Sequence, residues 1–205
     1  MPRRAKIRPD EPGREKVLEA GLELFGERGY HATSIADVGR RAGISKSVLY
    51  HYFGSKAGLY EVLAESEARA LLAAVAEAVP SDPDAPRLRQ GVRAYLSFLA
   101  ERPAAWRLLV RDPPADPGLI AVHERLTAER EEALGRLLAS PAKRSRARPQ
   151  VSLVATTIRA FAAWWYEHRD VPQEEVVDAV MDVAAAAARR IGASAPLQPH
   201  RQRAD

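Results

Sequence analysis

The residues best suited to chemistry share one short helical segment and do not form a catalytic constellation. Ser45, Lys46, Ser47, Tyr50 and His51 fall on its outward face. They offer short hydrogen-bonding groups, one cation and two amphipathic rings, which can contact base edges and phosphates in a DNA major groove. We therefore predict that this face binds DNA.

Two short helices joined by a tight turn would position that face. Ser34 is the predicted N-cap of the first helix, with Asp37 three residues on, and Gly43 tolerates the positive φ that the turn requires. Ser45 is the predicted N-cap of the second helix, which ends near Phe53, and Ser55 is the predicted N-cap of the long helix that follows. The pattern is typical of a helix-turn-helix. Because many helix pairs share a glycine turn, spacing alone leaves a purely structural helix pair open.

The charge distribution also favours a polyanionic partner for the first third of the chain. Residues 1–60 carry 11 Lys and Arg against 7 Asp and Glu, whereas the rest of the chain is balanced at 20 and 20. A basic region of this kind is expected where a protein meets nucleic acid. The alternative is a basic arm without a role.

Composition and motifs exclude several classes of protein. With 46% apolar and 28% charged residues the chain is globular, and the absence of cysteine excludes disulfides and thiolate chemistry. P-loop, dinucleotide-binding, zinc-protease and serine-hydrolase motifs are missing, so we expect no enzyme activity, no cofactor and no metal. No apolar run approaches the ~18 residues of a membrane span, and no signal peptide is evident. A cytoplasmic protein without membrane contact is expected.

Apolar residues recur at spacings of three and four almost throughout, which predicts an all-α fold. We expect a disordered basic arm at 1–13 and a disordered tail at 193–205. Between them we expect a three-helix DNA-binding domain with the helix-turn-helix at 14–55, and a C-terminal helical bundle for ligand binding and dimerisation at 56–192. The nine predicted helices cover about residues 14–28, 34–42, 45–53, 55–79, 84–101, 103–111, 116–139, 148–168 and 173–191.

The predicted bundle contains the large aromatic side chains that could line a ligand pocket. An apolar pocket with few polar groups suits a hydrophobic or amphipathic small molecule. The same aromatics could instead simply fill the core. The candidate ligand-binding residues are Tyr95, Phe98, Trp106, His123, Phe161 and Trp164.

The last two predicted helices, 148–168 and 173–191, combine an inward apolar stripe with a second apolar or small-residue side. A helix in a monomer rarely needs two such sides, so we predict that they form a homodimer interface. The alternative is an ordinary exposed alanine-rich helix.

The N-terminal third resembles the TetR (tetracycline repressor-like) family, without a gap from about residue 14 to 60. The resemblance implies a homodimeric repressor with a small effector in the C-terminal domain. It implies phosphate contacts for Thr33 and Ser34, groove contacts for Lys46, Ser47 and Tyr50, and backbone contacts for Tyr52 and Lys56. The matching residues are 17–25, 29–30, 33–35, 42–46, 49–53 and 55–56.

Two departures from the family pattern are informative. Ala36 stands where the family often has a long side chain that reaches a base, so base contacts must come from elsewhere. Gly39 stands where alanine is usual, at a helix-interior cost of roughly 1 kcal/mol. Closer helix packing is the expected gain.

Together these features predict a ligand-responsive transcriptional repressor that binds a near-palindromic operator in double-stranded DNA as a homodimer. An activator, or a ligand-independent DNA-binding regulator of the same fold, is the principal alternative. A small helical enzyme and a basic adaptor that binds protein are further alternatives, but the first lacks catalytic motifs and the second would not show the salt dependence of phosphate contacts.

Overall fold

A computed structural model describes residues 12–80, 86–111, 114–138 and 144–191, and these ranges are helical without any strand. This confirms the all-α prediction. The predicted arm, up to residue 11, and the predicted tail lie outside the described residues. In order, the elements are α1 (Pro12–Ala32), α2 (Ile35–Ala42), α3 (Lys46–Phe53), α4 (Lys56–Ala78), α5 (Arg87–Glu101), α6 (Pro103–Trp106), a π-helical turn (Arg107–Arg111), α7 (Pro117–Leu138), α8 (Arg144–Glu167) and α9 (Gln173–Ile191).

Two elements differ from the sequence-based prediction. The helix expected at 103–111 is α-helical only as far as Trp106 and then widens into the π-helical turn. The carbonyl of Leu108 in that turn accepts a hydrogen bond from the Tyr60 hydroxyl at 3.1 Å. Helix α8 begins four residues earlier than expected and contains Pro149. None of the described helices is long and apolar enough to cross a membrane.

The first compact unit takes its described residues from 12–68 and 103–123. Helices α1, α2 and α3 enclose a small apolar core, and α6 packs on α1. The packing is close, because a Cβ added at Gly26 would lie 2.7 Å from the Ala104 Cβ. This compact unit extends past residue 55, and the division of functions at that residue stays a prediction. Its fully buried side chains include Val17, Phe25, Val38, Leu49 and Leu59.

The second compact unit takes its described residues from 69–102 and 124–191. Helix α8 packs along α9, and the turn between them is fastened by the Trp165 indole, whose Nε1 donates to the Val171 carbonyl at 2.9 Å. Helix α5 joins α9 through ion pairs, with Arg93 Nε 2.6 Å from a Glu174 carboxylate oxygen. The buried core along α8 and α9 includes Val154, Ile158, Ala162, Val177, Val180 and Ala184.

Candidate nucleic-acid interface

The turn between α2 and α3 depends on two glycines. Gly43 ends α2 in the left-handed region (φ 67°), as its sequence position predicts, and Ile44 N then donates to the Gly39 carbonyl at 2.9 Å. A Cβ at Gly39 would lie 2.8 Å from the Ile44 carbonyl oxygen and 3.1 Å from Leu49 Cδ1. The expected close packing at Gly39 is thereby confirmed. These glycines hold α3 tightly against α2.

The first turn of α2 is closed by a capping box, as the sequence predicts. Asp37 N donates to Ser34 Oγ at 3.1 Å, and Ser34 N donates to an Asp37 carboxylate oxygen at 3.2 Å. Hydrogen bonds from Ser34 and then from Arg40 lower the pKa of Asp37 below its ordinary value. The Ser34 hydroxyl also donates to Asp37, at 2.6 Å. A phosphate bound by Ser34 would therefore have to compete with the Asp37 carboxylate.

The outward face of α3 carries the side chains that the sequence assigned to DNA. Ser45, Lys46, Ser47, Tyr50 and His51 are all exposed, and Tyr50 is 44% exposed despite its size. Lys46 Nζ lies 5.7 Å from the centre of the Tyr50 ring, one turn away. Ser45 occupies the N-cap position of α3 as predicted, but its side chain makes no capping hydrogen bond, and its Oγ lies 3.2 Å from Ser47 Oγ. This face presents a cation, hydroxyls and two rings, all accessible to a groove.

Two further residues at the base of α3 and the start of α4 shape the site. Tyr52 is half-buried, with its ring 5.9 Å from that of His51. Gly58 was missed by the sequence analysis, although a Cβ there would lie 2.1 Å from the Phe53 carbonyl oxygen. Its amide donates to Ser55 Oγ at 2.9 Å, which confirms Ser55 as the cap of α4. No side chain fits at Gly58 unless α3 and α4 separate.

Lys56 is held more tightly than the sequence suggested. Its Nζ donates to the carbonyls of Tyr30 and Thr33 at 3.0 and 3.1 Å, and it lies 4.1 Å from the centre of the Tyr30 ring. An ammonium group has three donors, so one N–H remains outside these two bonds. Lys56 therefore ties the start of α4 to the segment between α1 and α2.

Thr33 occupies a different position from the one expected. It is 1% exposed, and its hydroxyl lies 3.1 Å from the Leu24 carbonyl and 2.9 Å from the Gly29 carbonyl. Its side chain therefore anchors the end of α1 and does not face solvent. His31, in the last turn of α1, also borders the site, although no pattern in the sequence singled it out. One surface depression is lined by His31, Thr33, Ser34, Lys46, Tyr50 and Lys56.

The six predicted effector residues are divided between the two compact units. Trp106 and His123 are buried in the first unit, where His123 Nε2 lies 3.2 Å from the Tyr60 hydroxyl. In the second unit, Phe98 and Phe161 are half-buried, and Trp164 is 44% exposed with its ring stacked on His168 at 4.4 Å.

Of the six, Tyr95 lines a cavity of the second unit, which lies between α4, α5, α7 and α8. Its wall is mostly aliphatic. The polar groups beside Tyr95 are Arg130, Glu131 and Arg159, none of which sequence reasoning singled out. Helical periodicity marks all three as ordinary surface positions, so no pattern in the sequence could have found them.

Comparison with known proteins agrees with this geometry. Residues 17–63 match the family described as bacterial regulatory proteins, tetR family. The chain is 30% identical to the HTH-type transcriptional activator FasR of Mycolicibacterium smegmatis over 187 residues, covering 89% of this chain and 85% of the relative.

Solved structures share the fold. A TetR-like transcriptional regulator from Rhodococcus sp. RHA1 superposes with a TM-score of 0.66 at 25% identity, covering 90% of this chain and 97% of that one. FadR from Bacillus subtilis, in complex with stearoyl-CoA, has a TM-score of 0.67 at 16% identity, over 85% and 97% of the two chains. These relatives are transcriptional regulators and not enzymes. The chain therefore belongs to the tetR family of helix-turn-helix, DNA-binding transcriptional regulators.

Proposed function

We propose that the protein is a cytoplasmic, ligand-responsive transcriptional repressor that binds a near-palindromic operator as a homodimer. The observation that carries this proposal is the exposed polar face of α3, held against α2 by the close approach at Gly39. In a two-fold dimer, two such helices would enter successive major grooves about 34–36 Å apart. In this proposal Lys46 and Ser47 contact base edges, and Lys56 contacts a phosphate.

An apolar groove along α8 and α9 supports the dimer. Leu153 is 54% exposed, which is unusual for a large aliphatic side chain in a helix centre. It lines the groove with Pro149, Val183 and Ala186. A second copy related by a two-fold axis would bury the same groove on both subunits. Ala184 is fully buried in the chain's own core and so does not belong to this surface.

The cavity around Tyr95 supports a small-molecule effector. Its largely aliphatic wall suits a hydrophobic or amphipathic ligand. FadR of Bacillus subtilis, which shares the fold, was crystallised with stearoyl-CoA and so supports an acyl ligand in such a bundle. Such an effector would bind more tightly to a conformer in which the two recognition helices have the wrong spacing for the operator. The affinity for DNA would then fall by the ratio of the effector's affinities for the two conformers.

Selection of binding sequences from random duplexes tests the DNA-binding part of the proposal. We expect an inverted repeat with half-sites about one helical turn apart. Lys46→Ala should cost about 1–3 kcal/mol on the selected site and relax the preference at one or two base pairs. Lys16→Ala, which removes an exposed lysine of α1, is the matched control and should leave specificity unchanged. Equal losses on selected and random DNA would make Lys46 a phosphate contact only.

Activation is the second candidate, because the FasR relative is named as an activator. Repression and activation differ in where the operator lies, since a bound dimer blocks a promoter that it overlaps and can assist one that it precedes. A reporter driven by the selected operator in its native promoter distinguishes them. Deleting the regulator should raise expression if it represses and lower expression if it activates.

A further inference from the structure

One half-buried arginine in the second unit faces a largely aliphatic cavity. The guanidinium of Arg130 lines this cavity, and its Nη2 donates to Thr127 Oγ1 at 3.1 Å. Its Nη1 is buried and has no acceptor among the described residues. Such a group costs free energy unless something else supplies the acceptor. The aliphatic wall includes Leu71, Val75, Val92, Leu134, Leu137 and Ile158.

The other charges at the cavity neutralise each other and leave Arg130 uncompensated. Glu131 lies 3.8 Å from the Arg159 guanidinium and also accepts from Ser152 Oγ at 3.3 Å. No described carboxylate comes within the 4.0 Å of an ion pair with Arg130. Burial lowers the pKa of Arg130, partly opposed by Tyr95 and the neighbouring glutamates. An arginine nevertheless stays protonated near neutral pH, so the cavity wall carries one net positive charge.

Tyr95 adds a neutral donor beside this cation. Burial raises the pKa of its hydroxyl, and the electrostatic influence of Arg130 and Arg159 only partly opposes that rise. The phenol is therefore protonated at neutral pH and can donate a hydrogen bond. A guanidinium with a free N–H and a nearby phenol form a suitable pair of donors for a carboxylate.

We infer that the cavity binds a small amphipathic carboxylate, with its acid group on Arg130 and Tyr95 and its aliphatic chain against the wall of α4 and α5. The inference rests on the proposed function, because it names the chemical class of the effector for that same site. It also gives a reason for an arginine whose buried Nη1 has no acceptor and no ion-pair partner among the described residues, since binding residues are often retained at a cost to stability. A neutral alcohol of the same length could accept a hydrogen bond from Nη1 but would carry no charge to balance the guanidinium.

The inference is tested with the full chain in the absence of DNA, by calorimetry and thermal denaturation. Hexanoate, octanoate and decanoate are compared with the matching alcohols. We expect each acid to bind at least tenfold more tightly than its alcohol, and each added pair of methylenes to tighten binding roughly tenfold until the cavity is full. At 100 times its Kd, an acid should raise Tm by about 5–10 °C. Equal affinity for acids and alcohols overturns the inference.

Variants at Arg130 identify the contact. Arg130→Met should weaken octanoate about 10- to 100-fold and leave octanol unchanged, while the Tm of the unliganded protein stays the same or rises. Arg136→Met is the matched control, because Arg136 lies on the same helix but is exposed and paired with Glu132. It should bind octanoate like the wild type. Unchanged octanoate binding by Arg130→Met overturns the inference.

Two further measurements keep the test decisive. Should Arg130→Met fold poorly, Leu134→Phe fills the cavity, and octanoate binding that survives this change overturns the inference. Octanoyl-CoA tests whether the ligand is an acyl thioester instead of a free acid. If octanoyl-CoA binds more tightly than octanoate, the free carboxylate is not the recognised group. DNA binding is measured separately by fluorescence anisotropy. An intact DNA affinity without octanoate binding refutes the effector class alone, whereas octanoate binding without DNA affinity refutes the proposed function alone.

Discussion

Replacing Gly39 with alanine separates helix propensity from helix packing. In an exposed helix, alanine is more favourable than glycine by about 0.8–1 kcal/mol. At Gly39 the new Cβ would lie 2.8 Å from the Ile44 carbonyl oxygen, 0.6 Å short of the 3.4 Å at which ordinary contact begins. Because the obstacle is backbone, relief requires α3 to move away from α2. We place this cost at about 2–3 kcal/mol, in the upper part of the range for overpacking.

The expected net effect of Gly39→Ala is a loss of about 1–2 kcal/mol in the free energy of unfolding. For a chain of this size that lowers Tm by roughly 2–8 °C. Gly135→Ala is the matched control, since its Cβ would meet the Val151 methyl groups at an ordinary 3.8 Å. It should instead raise Tm by roughly 1–4 °C. If Gly39→Ala raises the free energy of unfolding as much as the control does, the close approach of α2 and α3 imposes no cost on a side chain at position 39.

Three further predictions follow from the contacts. Lys56→Ala should weaken binding to all DNA sequences alike and lower the slope of DNA affinity against salt concentration by about one per half-site, and an unchanged slope removes Lys56 from the interface. The same variant should cost about 1–3 kcal/mol in the free energy of unfolding, because two carbonyls lose their donor. Because its pKa is lowered in the folded state, the ionised Asp37 carboxylate stabilises the fold above about pH 4, and this stabilisation is lost as the pH falls further. Ser34→Ala removes the main cause of the shift, so the free energy of unfolding should fall less steeply with acid than in the wild type. Leu153→Glu should give folded monomers in sedimentation that bind half-sites only, and a stable dimer would contradict the assigned interface.

Local sequence signals predicted the DNA-binding segment well. The caps at Ser34 and Ser55 and the turn at Gly43 depend on residues within a few positions of one another, and the structure confirms all three. The expectation that Gly39 allows close packing is confirmed for the same reason. Helix periodicity likewise predicted the order and approximate bounds of the helices.

Features that depend on which helices meet could not be predicted in this way. Residues 103–123 belong to the first unit, where α6 packs on α1, so Trp106 and His123 are buried there, whereas the cavity is lined by residues of the second unit. Arg130 lies on α7 among charged residues and resembles a solvated position until α5 and α8 surround it. Thr33 faces inward because two carbonyls of α1 accept its hydroxyl, a contact set by the kink at Gly29.

The hydrogen bonds made by Lys56 link movements of α4 to the DNA-binding segment. They fasten the first turn of α4 to the backbone of the segment between α1 and α2, so a displacement of α4 is passed on to that segment. Further along the same helix, Leu71 and Val75 line the cavity that we assign to the effector. We therefore expect Lys56 to couple movements of α4 to the segment between α1 and α2. Under the proposed function, substituting Lys56 should alter the coupling free energy between ligand and DNA, a quantity distinct from either affinity alone.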